Sequence, residues 1–190
     1  MTTLSQVFQE EHRKQVVCIE HVQTIADSIG SASVGTLREE IGHVYFFLTQ
    51  QLLPYAQAEE QVLYPAIGKL LGALEATATM SRDHLEVLQL TEELETQWLH
   101  LFYASLSTSN EQALRRVLYG LYAIIKLHLA KEEELYLPLL ETRLSALEGT
   151  RLVEAMERTA AETKIHLQKK KLYEESKSVP ASARCYASTS

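Results

Sequence analysis

Two segments of the chain repeat each other about 73 residues apart. The first reads LPYAQAEEQVLYPAI from residue 53 to 67, and the second reads LHLAKEEELYLPLL from residue 127 to 140. Their alignment matches two acidic positions and one proline: Glu59 with Glu132, Glu60 with Glu133, and Pro65 with Pro138. One histidine also recurs upstream of each segment, His12 and then His84. A chain with this pattern is predicted to fold as two similar halves.

Helices are predicted throughout, because apolar residues recur at spacings of three and four while glycine and proline number only 7 and 4. Five helices are expected, over residues 3–28, 36–72, 75–106, 109–147 and 151–175. Each half is then a helical hairpin. Two hairpins make an up-down-up-down four-helix bundle, here with an additional C-terminal helix. The predicted fold class is all-α.

The helix boundaries divide the chain into three parts. Thr3 and Ser109 begin capping-box patterns, and Gly30 and Gly149 are predicted to end or separate helices. We expect a bundle domain, an appended helix and a tail, over residues 1–148, 149–176 and 177–190. The tail lacks apolar periodicity, so we expect it to be mobile.

The charge and cysteine content exclude several functions. The net charge is −7 and the pI about 5.5, so nucleic acid and anionic membrane surfaces are not expected as partners. No apolar run approaches the roughly 20 residues of a membrane span, and the start lacks the pattern of a secretory signal. Only Cys18 and Cys185 are present, without metal-binding spacing. We therefore expect a cytoplasmic location.

Six side chains are predicted to meet inside the bundle. Residues four apart share one face of a helix, so His128 points with Glu132 and Tyr55 points with Glu59. A single pair of this kind is common on exposed helices, and a lone histidine on an apolar face is usually structural. The prediction depends on four helices contributing inward side chains in a repeated register. The six are His12, Tyr55, Glu59, His84, His128 and Glu132.

A metal ion is the simplest way to stabilise this set. Burying two uncompensated carboxylates costs several kcal/mol each. No Arg or Lys lies at matching positions on these faces to compensate them. Imidazole and carboxylate together suit iron, manganese or zinc. Two carboxylates able to bridge, with nitrogen ligands on both sides, indicate two ions, and iron is favoured. The histidines outside this pattern are interpreted as structural or solvated: His21, His43, His100 and His166.

The order His, Tyr-x-x-x-Glu, His, His-x-x-x-Glu resembles the hemerythrin-like (HHE cation-binding) family, whose motif has histidine where Tyr55 stands. The resemblance covers about residues 4 to 145 and includes the segments EEHRKQ, LPYAQAEEQVLYPAI and HLAKEEELYLPLL. It implies a four-helix bundle with a non-haem di-iron centre, oxo- or hydroxo-bridged. By the family pattern the ligands are His12, Glu59, His84, His128 and Glu132, with the two glutamates bridging.

Two departures from the family bear on function. Oxygen-carrying hemerythrins have two histidines four residues apart on the third helix, whereas here His84 is flanked at those positions by Met80 and Leu88. The other departure is Tyr55. Its phenolate could bind iron, since a trivalent cation lowers the pKa of a phenol. Alternatively, Tyr55 is a core aromatic whose hydroxyl bonds Glu59 or a water.

A phenolate ligand favours ferric iron and therefore opposes reversible oxygen carriage. Some bacterial hemerythrin-like proteins that resemble this pattern are associated with catalase-like activity, so decomposition of hydrogen peroxide is our leading hypothesis. Candidate proton relays are Glu60, Glu133 and Tyr136. Oxygen, nitric oxide or iron sensing or storage remains an alternative, as does a helical interaction module stabilised by metal. Pro54 predicts a local opening of the second helix beside Tyr55.

Overall fold

The computed structural model describes residues 4–103 and 107–178, and these are helical almost throughout. Five long helices follow one another: α1 Leu4–Ser28, α2 residues 34–71, α3 Ala78–Tyr103, α4 residues 108–143 and α5 Ala146–Ser178. A 3₁₀ turn, Leu74–Thr77, precedes α3. No strand occurs within the described ranges, which confirms the all-α prediction. No helix in those ranges is both long and apolar enough to span a bilayer.

Two glycines end helices as predicted. Gly30 has φ +89° after α1, and Gly72 has φ +66° after α2. Both values lie in the left-handed region that side chains other than glycine rarely adopt. In α2 the Gly72 conformation directs its backbone N–H toward the carbonyls of Gly68 and Lys69, which closes the last turn.

Serine residues cap the starts of three helices, and they lie a few residues before the predicted positions. The Ser33 hydroxyl accepts from the Thr36 N–H at 3.1 Å at the start of α2. Ser107 caps α4 in the same way. Ser145 and Glu148 form a reciprocal capping box at the start of α5. The prediction that Gly149 separates the last two helices is therefore wrong, because this box begins α5 ahead of it.

Some sequence predictions fall on residues outside the described ranges. These are the Thr3 cap, the last turn expected for the third helix at 104–106, and the tail beyond Ser178. The second cysteine, Cys185, belongs to that tail. Cys18 is a free thiol on α1 and is partly buried.

Three π-helical turns interrupt α2 and α4: Leu48–Leu52, Glu59–Leu63 and Glu132–Tyr136. A proline follows two residues after each of them: Pro54, Pro65 and Pro138. Proline cannot donate to the carbonyl four residues earlier, so the preceding turn widens and the N–H before each proline reaches back five residues. The opening predicted at Pro54 is confirmed. A widened turn of the same kind begins at each of the two candidate bridging glutamates.

The helices pack as the repeat predicts, with α1 and α3 both against α4, and α2 against α3. The core is divided into two apolar clusters. The larger cluster is built around Ile19, Leu48, Leu94 and Leu118, and the smaller cluster around Phe8, Leu63, Met80 and Tyr136. Between them lies a layer of buried polar side chains contributed by all four bundle helices. On α1, for example, His12 stands between Phe8 and Ile19.

Helix α5 covers the bundle. It packs on α1 and on the part of α2 formed by Leu53–Ala58 and Glu59–Leu63. Its Met156 side chain is buried in the smaller cluster. Farther along, the Gln168 amide donates to the Gln50 side-chain oxygen at 3.2 Å. The fifth helix therefore lies against the stretch of α2 that carries the candidate site residues.

Candidate metal centre

Five of the six predicted side chains meet in the polar layer between the two apolar clusters. His12 comes from α1, Glu59 from α2, His84 from α3, and His128 and Glu132 from α4. Each lies on the inward face of its helix. His12, Glu59 and Glu132 are 1–2% exposed. The spacing inferred from sequence therefore does bring ionisable groups from four helices together inside the bundle.

The donor atoms form two groups that share one carboxylate. Glu59, His84 and His128 make the first group, and His12, Glu59 and Glu132 make the second, with donor atoms in each within 4.8 Å of one another. In the first group the Nε2 atom of His84 lies 3.0 Å from Glu59 Oε2 and 3.0 Å from His128 Nε2. Two adjacent pockets of carboxylate and imidazole donors suit a cation in each.

Glu132 spans the two groups. Its Oε2 atom lies 3.2 Å from His12 Nε2, and its Oε1 atom lies 3.6 Å from His128 Nε2. Both His12 Nε2 and Glu132 Oε2 are buried, and neither makes a hydrogen bond of acceptable geometry with a described residue. Two orphaned donor atoms facing each other at this distance fit a cation held between them.

A carboxylate holds the outer nitrogen of each of the three imidazoles. The Nδ1 atom of His84 lies 2.7 Å from Glu60 Oε1, that of His12 lies 3.1 Å from Glu133 Oε1, and that of His128 lies 3.3 Å from Asp83 Oδ2. An acceptor at Nδ1 places the ring proton there. The Nε2 lone pair is then presented to the interior, as metal-binding histidines require.

These contacts define the roles of the predicted proton relays. Glu60 and Glu133 are equivalent in the repeat, and each bonds the histidine of the opposite half: Glu60 bonds His84, and Glu133 bonds His12. They orient imidazoles from outside the layer. The Tyr136 hydroxyl instead donates to the Ala76 carbonyl at 3.1 Å, so it is not part of the site. Asp83, which the sequence did not single out, also accepts from Lys131.

The two buried glutamates differ in their electrostatics. Burial raises the pKa of Glu59, but the imidazoles of His128 and His84 beside it outweigh burial and lower that pKa to about 2. Burial and the negative charge of Glu59 together raise the pKa of Glu132. The site therefore keeps one carboxylate ionised and disfavours the charge of the second. A cation among these oxygens would remove that conflict.

Tyr55 lies beside the five residues without bonding them. Its ring packs edge-on against Phe8, with centroids 6.4 Å apart. It lines a small cavity together with Glu59, His84 and His128. Burial, followed by the charges of Glu59 and Glu132, raises the pKa of its hydroxyl well above the usual value. The phenol is therefore neutral unless a cation lies close to it.

Tyr64 is a site residue that sequence reasoning missed. Its hydroxyl donates to Glu132 Oε1 at 3.2 Å and lies 3.4 Å from the Nε2 atoms of both His84 and His128. Its ring stacks on His84 at an interplanar angle of 13°. The repeat carried a signal for it, because Leu137 occupies the matching position in the second segment. A mismatch between the two segments thus marks Tyr64, as the mismatch with His128 marks Tyr55.

The comparisons with known proteins give a family. A model of the hemerythrin HHE cation binding domain matches residues 3–140, which is most of the chain. The chain belongs to the hemerythrin HHE family. Neither the search of curated proteins nor that of solved structures found a match. The family assignment and the cluster of buried donor atoms together support a metal-binding hemerythrin-like protein.

The remaining histidines of this HHE domain stay outside the polar layer. His21 bonds Glu40 at 2.7 Å near the surface, and His43 is exposed beside the same carboxylate. His100 and His166 are exposed. On α3 the position four residues before His84 is Met80, which is buried in the smaller apolar cluster. The third helix thus offers one imidazole to the interior, not two.

Proposed function

We propose that this HHE protein holds two iron ions in the polar layer and decomposes hydrogen peroxide. The observation that carries the proposal is the pair of donor groups joined by Glu59, with Glu132 reaching both and a tyrosine at the sixth position. In the overall reaction two molecules of hydrogen peroxide give two of water and one of dioxygen. Two irons would supply the two-electron redox change that this requires.

Under this proposal each donor group holds one ion. Glu59, His84 and His128 would bind one, and His12, Glu59 and Glu132 the other, with the two glutamates shared. The donor set fits iron, because imidazole nitrogen and carboxylate oxygen both suit it and neither group of described donors includes a cysteine. Glu60, Glu133 and Asp83 would orient the three imidazoles through Nδ1.

Tyr55 supports peroxide chemistry over reversible oxygen carriage. It occupies the repeat position of His128, four residues before Glu59, and it lines the cavity beside the donor groups. A bound ferric ion would lower the pKa of its hydroxyl and favour the phenolate. Phenolate is a hard anionic donor that stabilises the ferric state, whereas oxygen carriage needs a ferrous resting state.

Tyr64 would relay a proton during the reaction. Oxidising one peroxide releases two protons, and reducing the second consumes two. The Tyr64 hydroxyl lies among His84, His128 and Glu132 and donates to Glu132 Oε1 at 3.2 Å. It is therefore placed to hold a proton inside the layer and to return it.

Hydrogen peroxide is proposed as the partner, rather than nucleic acid or a membrane. The net charge of −7 opposes binding to polyanions. A cytoplasmic location is proposed with it, since the two cysteines show no disulfide or metal-binding spacing.

The test combines metal analysis with oxygen release. We expect two irons per chain after aerobic loading, a visible absorption band, and dioxygen release on addition of hydrogen peroxide. The control is free iron at the same concentration. Turnover no faster than that control would reject the enzyme and favour oxygen, nitric oxide or iron sensing or storage. Reversible oxygen binding by the dithionite-reduced protein would indicate carriage instead.

A further inference from the structure

The carboxylate of Asp83 differs from the two other carboxylates that contact imidazoles of the centre. Its side chain is 17% exposed, whereas those of Glu60 and Glu133 are 32% and 43% exposed. Its contact with an imidazole, 3.3 Å to His128 Nδ1, is the longest of the three. Asp83 also forms an ion pair with Lys131, whereas no described lysine or arginine pairs with either of the other two. Asp83 is thus the most enclosed of the three, and it is the one that carries a cation.

A single oxygen atom of Asp83 contacts both of its neighbours. The Oδ2 atom faces His128 Nδ1, and the same Oδ2 accepts a hydrogen bond from the Lys131 ammonium. Lys131 lies three residues after His128 on α4, so both side chains reach Asp83 from one face of that helix. The imidazole and the ammonium therefore compete for one oxygen.

The first half of the chain lacks this arrangement. Ala58, which is buried, occupies the repeat position of Lys131. Glu11 occupies the repeat position of Asp83, and it pairs with Lys14 of its own helix at 3.1 Å. Among the described residues, the shared oxygen is therefore a feature of the second half, and it acts on one of the two donor groups.

The competition changes the donor strength of the His128 imidazole. A carboxylate at Nδ1 attracts the ring proton and makes Nε2 a stronger donor to a cation. An ammonium at the same oxygen offsets part of its negative charge, so the attraction for the ring proton falls. A weaker nitrogen donor stabilises the higher charge of ferric iron less, and the reduction potential of the bound iron rises.

We propose that Lys131 is a positioning residue that acts through Asp83 on His128 and keeps one iron more readily reduced than the other. The iron concerned is the one bound by Glu59, His84 and His128. Oxidising one peroxide to dioxygen passes two electrons to the irons, and reducing the next peroxide to two waters takes them back. Iron held too firmly in the ferric state would stop this cycle. The inference deepens the proposed peroxide chemistry and rests on its two bound irons.

The experiment measures the reduction potentials of the iron-loaded full-length protein by spectroelectrochemistry. Lys131→Met removes the ammonium and keeps a long side chain, whereas Lys131→Arg keeps a cation at the same position. Lys126→Met is the matched control, because Lys126 lies on the same helix and pairs with a carboxylate, Glu20, at 2.6 Å near the surface.

We expect Lys131→Met to lower the potential of one reduction step by about 59 mV, which corresponds to a tenfold change in the preference for ferric over ferrous iron. Lys131→Arg and Lys126→Met should stay near the wild-type value. Asp83→Asn should raise the potential, because the imidazole loses its charged partner. Loosened packing alone would shift both variants in the same direction. An unchanged potential in Lys131→Met, or shifts of the same sign in Lys131→Met and Asp83→Asn, would overturn the role of Lys131.

A double variant separates the action through Asp83 from the direct field of the ammonium at the iron. In the Asp83→Asn background, Lys131→Met should have little further effect on the potential, because the shared oxygen no longer carries a charge. A shift of the full size in that background would overturn the proposed path through Asp83.

Oxygen release, recorded on the same samples, tests the wider proposal separately. If the potentials shift as expected but the wild type releases no oxygen, the peroxide-decomposing function is wrong and the role of Lys131 stands. If the wild type releases oxygen and Lys131→Met leaves the potentials unchanged, only the role of Lys131 is wrong. Fewer than two irons per chain would overturn both.

Discussion

The Glu60 carboxylate lies 2.7 Å from the Nδ1 atom of His84. The other half of the chain repeats the relationship, with Glu133 at 3.1 Å from His12. In both halves the acidic residue directly follows the buried glutamate that faces the centre. Consecutive residues on a helix point in different directions, so one carboxylate of each pair can bind the cation while the next orients an imidazole from the opposite half.

The first prediction concerns this outer carboxylate. Replacing Glu60 with Gln should weaken metal binding about 10- to 100-fold, because the His84 ring loses its charged partner at Nδ1. The measurement is a competition titration against a chelator of known affinity. Glu134→Gln is the matched control, since Glu134 is an exposed glutamate that follows Glu132 and Glu133 in the second repeat segment. Equal affinities for the two variants would contradict the orienting role of Glu60.

Substitutions of Tyr55 and of Tyr64 should have different effects on the visible spectrum. We expect Tyr55→Phe to bleach or shift the absorption band of the iron-loaded protein, because it removes the proposed phenolate ligand and with it the charge transfer to iron. Tyr64→Phe should leave the band in place, since the Tyr64 hydroxyl already donates to Glu132 at 3.2 Å. A band that is lost in Tyr64→Phe and kept in Tyr55→Phe would show that Tyr64, rather than Tyr55, is the iron ligand.

The third prediction concerns the cost of the charge on Glu132. Its raised pKa means that the folded metal-free protein disfavours the ionised carboxylate at neutral pH. Glu132→Gln should therefore raise the free energy of unfolding of the metal-free protein, because a neutral amide avoids the cost that the raised pKa reports. The same variant should lose most of its metal affinity. Urea titration with and without metal measures both effects, and a destabilised metal-free variant would refute this account.

The metal-free protein should become less stable as the pH rises through neutrality. Burial lowers the pKa of His12 and of His84, but the carboxylates Glu132 and Glu59 respectively outweigh it and raise each above 6.5. A raised histidine pKa contributes stability that is present below pH 6.5 and is lost as the pH passes the folded-state value. The melting temperature of the metal-free protein at pH 6 should therefore exceed that at pH 8.

Metal should reverse this dependence. An imidazole must lose its proton to bind a cation, so the metal affinity should rise with pH and binding should release protons. Calorimetric titration in two buffers of different ionisation enthalpy would count those protons. A melting temperature that is independent of pH in the metal-free protein would show that His12 and His84 are not protonated against the carboxylates.

Much of this protein could be predicted from sequence. Helical periodicity and the repeat determined the all-α class and the inward register of His12, Glu59, His84, His128 and Glu132. These features are local: residues four apart on a helix share a face whatever the helix packs against. Pro54 likewise predicted a local opening of its helix, because a missing N–H acts on its own turn, and the turns before Pro65 and Pro138 follow the same rule without having been predicted.

Only the tertiary structure decided the contacts between helices that are distant in sequence. It brought Glu60 to His84 and Asp83 to His128, and it turned the Tyr64 hydroxyl toward Glu132. Each of these depends on the rotation and depth at which one helix packs on another. That geometry is set by side-chain packing of the whole core, so spacing along a single helix does not contain it.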